Sequence, residues 1–253
     1  MELDAEQEIT IRDCESLDDF RQCVTLQQTV WGFADKDLIP ARFFVVAHKI
    51  EGQVIGAFEQ DGRMVGFCLA VPALRGQTVY LHSHMVAVLP GWRRRSLGRR
   101  LKLEQRRQAL ARGIRLMEWT FDPLELQNAY FNLERLGAIA RRYVPNQYGI
   151  SSSPLHRGLP TDRLVAEWWL ESPRVATLAG GESPPRSEVS RRIEVPAQVV
   201  EQGEQDLAAV GQLQQELRRQ FLEAFAEGLV AVGFESTSGT GKYLLGPWEQ
   251  QSG

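Results

Sequence analysis

Apolar positions follow two different periods along the chain. A short extended stretch from Glu8 to Cys14 precedes Ser16, and Asp19 three positions later completes a capping-box pattern. Phe20, Val24, Leu26 and Trp31 then recur at helical spacing, so the opening reads as a strand followed by a helix. A second helical stretch covers Arg42 to Lys49. The period next drops to two. Val54-Gly56-Phe58 and Val65-Phe67-Leu69-Val71 alternate on either side of Asp61-Gly62, the pattern of two antiparallel strands joined by a tight turn. Thr78 to Leu89 is rich in strand formers and ends at Pro90-Gly91, after which a basic helix is predicted from about Arg95 to Gly113. Ile114 to Phe121 predicts another strand, Leu124 to Leu136 a helix with Pro123 at its start, and Gly137 its end before an extended stretch to Gly149.

Residues 162–170 supply one more strand pattern, with Trp168-Trp169-Leu170 in it. Between Ser172 and Val189, Gly180-Gly181 and Pro184-Pro185 lie among small and polar residues, which predicts a linker or mobile loop with room for one helical turn. Beyond it, Arg192 to Val199 reads as extended, Asp206 to Glu227 as a helix with Leu213, Leu217, Phe221 and Phe225 on one face, and Leu229 to Phe234 as a strand. This divides the chain into a main domain over 1–172, a linker over 173–191 and a C-terminal αβ appendage over 192–253. A tail with one amphipathic helix forms only a marginal core of its own, so it is expected to pack on the main domain or on a partner subunit, and a homodimer is expected.

Composition narrows the class. Of 253 residues, 43% are hydrophobic and 24% charged, ordinary values for a globular chain, and the sequence lacks an apolar run of membrane-spanning length. The acidic start Met1-Glu2-Leu3-Asp4 has neither the basic residues nor the apolar stretch of a secretory signal, so a soluble cytoplasmic protein is expected. Cys14, Cys23 and Cys68 form no Cys-x-x-Cys pair and predict buried thiols rather than a disulfide frame or a zinc site. The net charge of −3 argues against general polyanion binding, although arginine is concentrated between Arg93 and Arg107.

That concentration carries the chemistry. In Met85-Val86-Ala87-Val88-Leu89-Pro90-Gly91-Trp92-Arg93-Arg94-Arg95-Ser96-Leu97-Gly98-Arg99 a buried strand gives way to a tight turn and then to a basic helix start. The first amides of a helix have no partner within it, the helix dipole is positive there, and small residues let a phosphate come close. The segment resembles the signature of the GNAT acyltransferase superfamily: Arg or Gln, two residues, Gly, any residue, then Gly or Ala. Here it reads Arg93-x-x-Ser96-x-Gly98, with Ser96 in place of the first glycine. Element order over about residues 8–170 also fits. Ser83-His84-Met85, Trp119 to Leu124, Asn128-Ala129 with Asn132, Leu136-Gly137-Ala138 and Leu159 to Leu164 are similar to a bacterial subgroup of predicted acetyltransferases.

The resemblance implies a GNAT-like α/β fold, a mixed and mostly antiparallel sheet flanked by helices, acting as an acyl-CoA-dependent N-acyltransferase. Backbone groups of Val86, Ala87 and Val88 would pair with pantetheine and polarise the thioester, where the strand often splays at a bulge. The segment Arg93, Arg94, Arg95, Ser96, Leu97, Gly98 and Arg99 would hold the pyrophosphate, and Asn128 would sit near the pantetheine. An amine, on a small molecule or a peptide, would attack acetyl-CoA directly, which requires a base for the amine and an acid for the thiolate. His84 and Glu118 are candidate bases, and Asp122 lies at the end of the same strand as Glu118. Tyr130, Tyr143 and Tyr148 are candidate acids.

Each of these has a plainer reading. His82 and His84 point to one strand face and lack an evident third ligand, so no metal is expected and either can be a core histidine. Asp122 can cap the following helix. The later residues of the basic run, Arg100, Lys102, Arg106 and Arg107, read as a solvated helix face, because a nucleic-acid platform adds interleaved aromatics. Ser238-Gly239-Thr240-Gly241-Lys242 imitates a phosphate loop but continues with Tyr243, and reads as a turn between the last strands. A different class of function, a non-catalytic acyl-CoA sensor, would keep the phosphate turn without needing a base or an acid.

Overall fold

The computed structural model describes residues 8–93, 95–149, 158–201, 206–237 and 239–249. Among them, residues up to Arg115 form one compact unit and those from Leu116 onward another.

In the first unit, strand β1 (Thr10–Asp13) leads to helix α1 (Leu17–Trp31) through the capping box. Ser16 Oγ accepts from Asp19 N at 3.0 Å, and the Asp19 carboxylate accepts from Ser16 N at 3.2 Å. Gly32, in the left-handed region at φ 62°, ends the helix. Helix α2 (Ala41–Lys49) precedes the hairpin of β2 (Gln53–Phe58) and β3 (Met64–Arg75), and β4 (Thr78–Val88) feeds α3 (Leu97–Ala111). The four strands pair antiparallel in the order β1-β2-β3-β4.

Alternation along these strands serves two helical layers. Val54, Phe67, Leu69 and Ala87 pack with Phe20, Cys23 and Leu26 of α1 and with Phe44 and Ala47 of α2. Ile55, Ala57, Val65 and Cys68 pack with Leu97 and Leu101 of α3. Helices thus cover both faces, which is why every residue of β2 is buried, the polar Gln53 included. Cys14, Cys23 and Cys68 are buried within these clusters.

The second unit contains β5 (Leu116–Phe121), α4 (Leu126–Tyr130) running into one π-helical turn (Phe131–Arg135), β6 (Ile139–Val144), β7 (Arg163–Trp169) and α5 (Pro173–Ala179). Next come β8 (Arg191–Pro196), α6 (Ala197–Glu201), α7 (Leu207–Ala226), β9 (Val230–Thr237) and β10 (Thr240–Gly246). Strand order is β5-β7-β6-β9-β10-β8, and the strand pairs within this unit are antiparallel. The result is the expected α/β architecture of mostly antiparallel strands flanked by helices, with extra strands from the C-terminal part. Among the described residues no helix is long and apolar enough to cross a membrane.

Three local expectations change. The helix after Pro123 begins at Leu126, because Asp122 and Pro123 form a turn in which Asp122 Oδ1 accepts from Leu124 N at 2.8 Å. The stretch read as a linker holds α5, capped by Ser172, with Val175 buried. Gly137 explains part of that docking: it sits at φ 76°, and a Cβ there would lie 2.7 Å from Leu178 of α5. On α7 the buried stripe is Val210, Gln214, Leu217, Phe221 and Ala224, rotated slightly from the predicted face. Phe221 stacks on Tyr143 and meets Tyr243 edge-on, with centroids 5.8 and 5.0 Å apart.

Asp162 joins these elements. Fully buried, it accepts from Tyr143 Oη at 2.7 Å, Asn146 N at 2.9 Å, and Arg218 Nε and Nη2 at 2.9 and 2.8 Å. Removing the carboxylate leaves a phenol, an amide and a guanidinium without their acceptor. Asp162→Ala should therefore lower the stability of this unit by about 3–5 kcal/mol, read as an earlier urea midpoint.

Candidate functional site

The segment from β4 to α3 is built as a rigid turn. Leu89 N donates to Val65 O at 2.9 Å, and Pro90–Trp92 form a single 3-10 turn with Trp92 N donating to Leu89 O at 2.9 Å. Trp92 is buried against Leu97 and Leu101, anchoring the turn to the core, and the Arg95 guanidinium lies 4.9 Å from its ring centroid. Ser96 caps α3 from the left-handed region, φ 57° and ψ 13°, without a side-chain cap bond. Its carbonyl accepts from Arg100 N at 3.0 Å, starting the helix ladder. The amides of Leu97, Gly98 and Arg99 form the first turn, where a helix has no internal partners for them.

Arg93 and Arg95 are exposed beside this turn and Arg99 is half-buried, whereas Arg94 lies outside the described residues. Arg100 is tied elsewhere, to Ile9 O at 3.0 Å. The requirement for a glycine at the position of Ser96 is thus a requirement of backbone conformation, which glycine meets without strain and serine meets at a cost.

Upstream, β4 contains a bulge. Met85 pairs with Leu69 and Ser83 with Ala70, so His84 is the extra residue, two positions before Val86. The insertion changes which face follows: Ser83 turns toward α3, Ala87 toward α1 and α2, and Val86 and Val88 again toward α3. His82 and His84 are neighbours, with centroids 6.0 Å apart. The His84 ring is exposed, yet the protein around it disfavours its charge and His82 adds to this, so its pKa falls below the ordinary 6.5.

In the second unit Glu118 is buried on β5 directly opposite Glu167 of β7. A bulge at Arg141 in β6 lets two consecutive arginines reach this pair. Arg142 Nη2 lies 2.7 Å from Glu118 Oε1, and Arg141 Nη2 lies 2.8 Å from Glu167 Oε2. Glu118 is therefore held in an ion-pair cluster. Asn128 and Tyr130 are both exposed on α4, and two helical steps turn them about 200° apart, so they do not share a direction. Asp122 is 3.3 Å from Arg163. The Tyr143 phenol, donated to Asp162, is pushed far above its ordinary value by burial, and Tyr148 Oη meets Thr120 Oγ1 at 2.9 Å. Asn132, in the π turn, accepts from Trp119 Nε1 at 3.2 Å, an anchoring role in the core. Of the stretch that imitates a phosphate loop, Gly239 lies in the turn between β9 and β10, Thr240, Gly241 and Lys242 belong to β10, and Ser238 lies outside the described residues.

Residues 14–137 match the model of the acetyltransferase (GNAT) family. That stretch belongs to the GNAT acetyltransferase family. Solved structures share the fold. A predicted acetyltransferase of the GNAT family from Desulfovibrio desulfuricans superposes with a TM-score of 0.52 at 16% identity, over 64% of this chain and 99% of that one. A predicted acetyltransferase from Acinetobacter baylyi gives 0.53 at 16% identity, over 74% and 100%. Arabidopsis thaliana NAA60, in complex with a bisubstrate analogue, gives 0.53 at 14% identity, over 64% and 98%. No curated protein sequence matches the chain.

Within the GNAT domain one residue departs from its sequence reading. Lys102, expected on a solvated face, is 2% exposed between α3 and the sheet. Its Nζ donates to Ser83 Oγ and to Gln105 Oε1, each at 2.9 Å. Burial holds its pKa down to about 7, and among its neighbours the Cys68 thiol of β3 acts weakly in the other direction. The signal was present in the spacing: Leu97, Leu101, Lys102, Gln105 and Ala109 follow i, i+4, i+5, i+8 and i+12, the core-facing stripe of α3.

Two expectations follow. Ser96→Gly should relieve the left-handed strain and raise stability by about 1 kcal/mol, seen as a later urea midpoint, with the turn geometry unchanged. For Lys102, the unfolded chain keeps its proton to about 10.5 while the folded chain gives it up from about 7. Between those values the unfolded state binds more protons, so stability rises with pH, by up to about 1.4 kcal/mol per unit. Below pH 7 the penalty is complete. Lys102→Met should raise urea midpoints most at pH 6 and flatten the rise seen in the parent protein between pH 7 and pH 10.

Proposed function

We propose that the protein is an acyl-CoA-dependent N-acyltransferase that moves acetyl from acetyl-CoA to an amine by direct attack. The carrying observation is the left-handed, arginine-flanked start of α3, inside a segment that matches the GNAT family. In this reading the amides of Leu97, Gly98 and Arg99 take the pyrophosphate, with Arg93, Arg94 and Arg95 beside it. Val86, Ala87 and Val88 offer main-chain groups to the pantetheine, and the thioester carbonyl lies by the bulge.

The amine nitrogen bonds to the carbonyl carbon, the carbon–sulfur bond breaks, and the sulfur leaves as thiolate and takes a proton. His84 suits the task of accepting the amine's proton. It stands at the bulge, and its lowered pKa leaves it neutral at pH 7. Glu118 suits it less, because its carboxylate is already committed to Arg142.

Calorimetric titration with acetyl-CoA tests the reading. Micromolar binding is expected, weakened roughly tenfold or more by Arg95→Glu and by Gly98→Asp, which place negative charge at the phosphates. Binding that ignores both substitutions, or no binding to acetyl-CoA or longer acyl-CoAs, would dispose of it. Binding without turnover across a panel of amines would favour the non-catalytic sensor.

A further inference from the structure

The polar group around Lys102 sits where the first unit has least need of one. Gln53, Ala70 and Ser83 are paired in one row across β2, β3 and β4, so their side chains share the α3 face. The short Ala70 leaves depth between its two neighbours, and Lys102 and Gln105 reach into it from α3. Lys102 Nζ donates to Ser83 Oγ and Gln105 Oε1, and Ser83 Oγ donates to Gln105 Oε1 at 3.1 Å. Gln53 Nε2 donates to Gln105 O at 2.9 Å. All four polar side chains are buried. Gln53 Oε1 and Gln105 Nε2 nevertheless find no hydrogen-bond partner.

A buried network with orphaned amide atoms is a poor route to stability, and apolar residues of the same volume would serve better. What it supplies is register. The strand residue it grips, Ser83, is the last one before the extra residue His84. His84 lies between Ser83 and Met85, so moving the extra residue by one place along β4 exchanges the faces of only two side chains. Here a slide by one residue toward Leu81 would make Ser83 the extra residue, carry it off the α3 face and take a hydroxyl partner from Lys102 and Gln105. The network thus holds the bulge against sliding toward the start of β4. It does so from α3, the helix whose first turn is Leu97, Gly98 and Arg99, one turn before Lys102.

We propose that Lys102, Ser83 and Gln105 are positioning residues that lock the β4 bulge to helix α3, holding the thioester end of acyl-CoA in register with its phosphate end. The inference rests on the acyl-CoA reading of the turn and adds a role for side chains that touch neither the substrate nor the reacting atoms.

Infrared difference spectroscopy on acetyl-CoA carrying carbon-13 at the thioester carbonyl tests it without any acceptor. The parent protein should lower the carbonyl frequency relative to free acetyl-CoA, as main-chain donors near the bulge polarise the bond. Lys102→Met and Ser83→Ala should each lose about half of that shift or more and broaden the band, while acetyl-CoA affinity changes less than about threefold because the phosphate turn is intact. A parent-like band in the folded variants overturns the inference and leaves the acyl-CoA reading standing. No acetyl-CoA binding by the parent protein overturns that reading, and the inference with it. If Lys102→Met does not fold, the band of Ser83→Ala decides.

Discussion

A side chain on a paired strand can change faces only if the strand accepts an extra residue, and much of this protein's chemistry depends on where those insertions fall. In the first unit Val65 and His84 are the inserted residues, in the second Arg141 and Val232. At His84 the insertion puts Ser83 and Val86 on the same face of β4 despite their odd spacing. At Arg141 it turns two adjacent arginines onto one face, which strict alternation would forbid. The helices then pack against surfaces whose polarity those insertions have set.

Two buried polar clusters show how differently the same cost can be met. Glu118 and Glu167 lie side by side out of water, an arrangement tolerable only because Arg141 and Arg142 both reach them. Lys102 has a hydroxyl and an amide oxygen close by and a buried thiol as the titratable neighbour that acts on it, so it resolves the same difficulty by giving up its proton near neutral pH. The carboxylate pair is therefore held by its two arginines, whereas the lysine network sits close to a change of state in the physiological range.

The fold was legible in the sequence wherever its cause is local. The Ser16–Asp19 box, the Asp61-Gly62 turn and Gly137 each depend on a few adjacent atoms, and each stands where the pattern placed it. The strand-to-helix turn was legible for the same reason, and the family match over residues 14–137 covers it. What escaped depends on partners distant in the chain. A bulge leaves no trace in a hydrophobic period, so nothing in the sequence showed that Arg141 and Arg142 would converge on a glutamate pair. Lys102 was obscured by its neighbours, since a lysine within a run of arginines reads as surface until the spacing from Leu97 is counted. The segment after Ser172 looked like a linker because glycine and proline dominate its far half. The short helix ahead of them is stabilised by burying Val175 and by packing Leu178 over Gly137.

Ser96 shows how a departure from a motif should be weighed. Had the first glycine of the signature been needed for space, a serine side chain would block a phosphate and the turn would serve another purpose. The backbone at Ser96 instead adopts the left-handed conformation, its carbonyl starts the α3 ladder, and its exposed side chain makes no cap bond within the chain. The strain comes from the Cβ, and it falls on stability, while the direction of the next three amides is set by the helix that follows. The geometry of the turn is therefore preserved and only its energy is altered. The helix that bears this strained residue is the one fastened to the sheet by Lys102, so the same element that begins under strain is held in place one turn later by a polar lock.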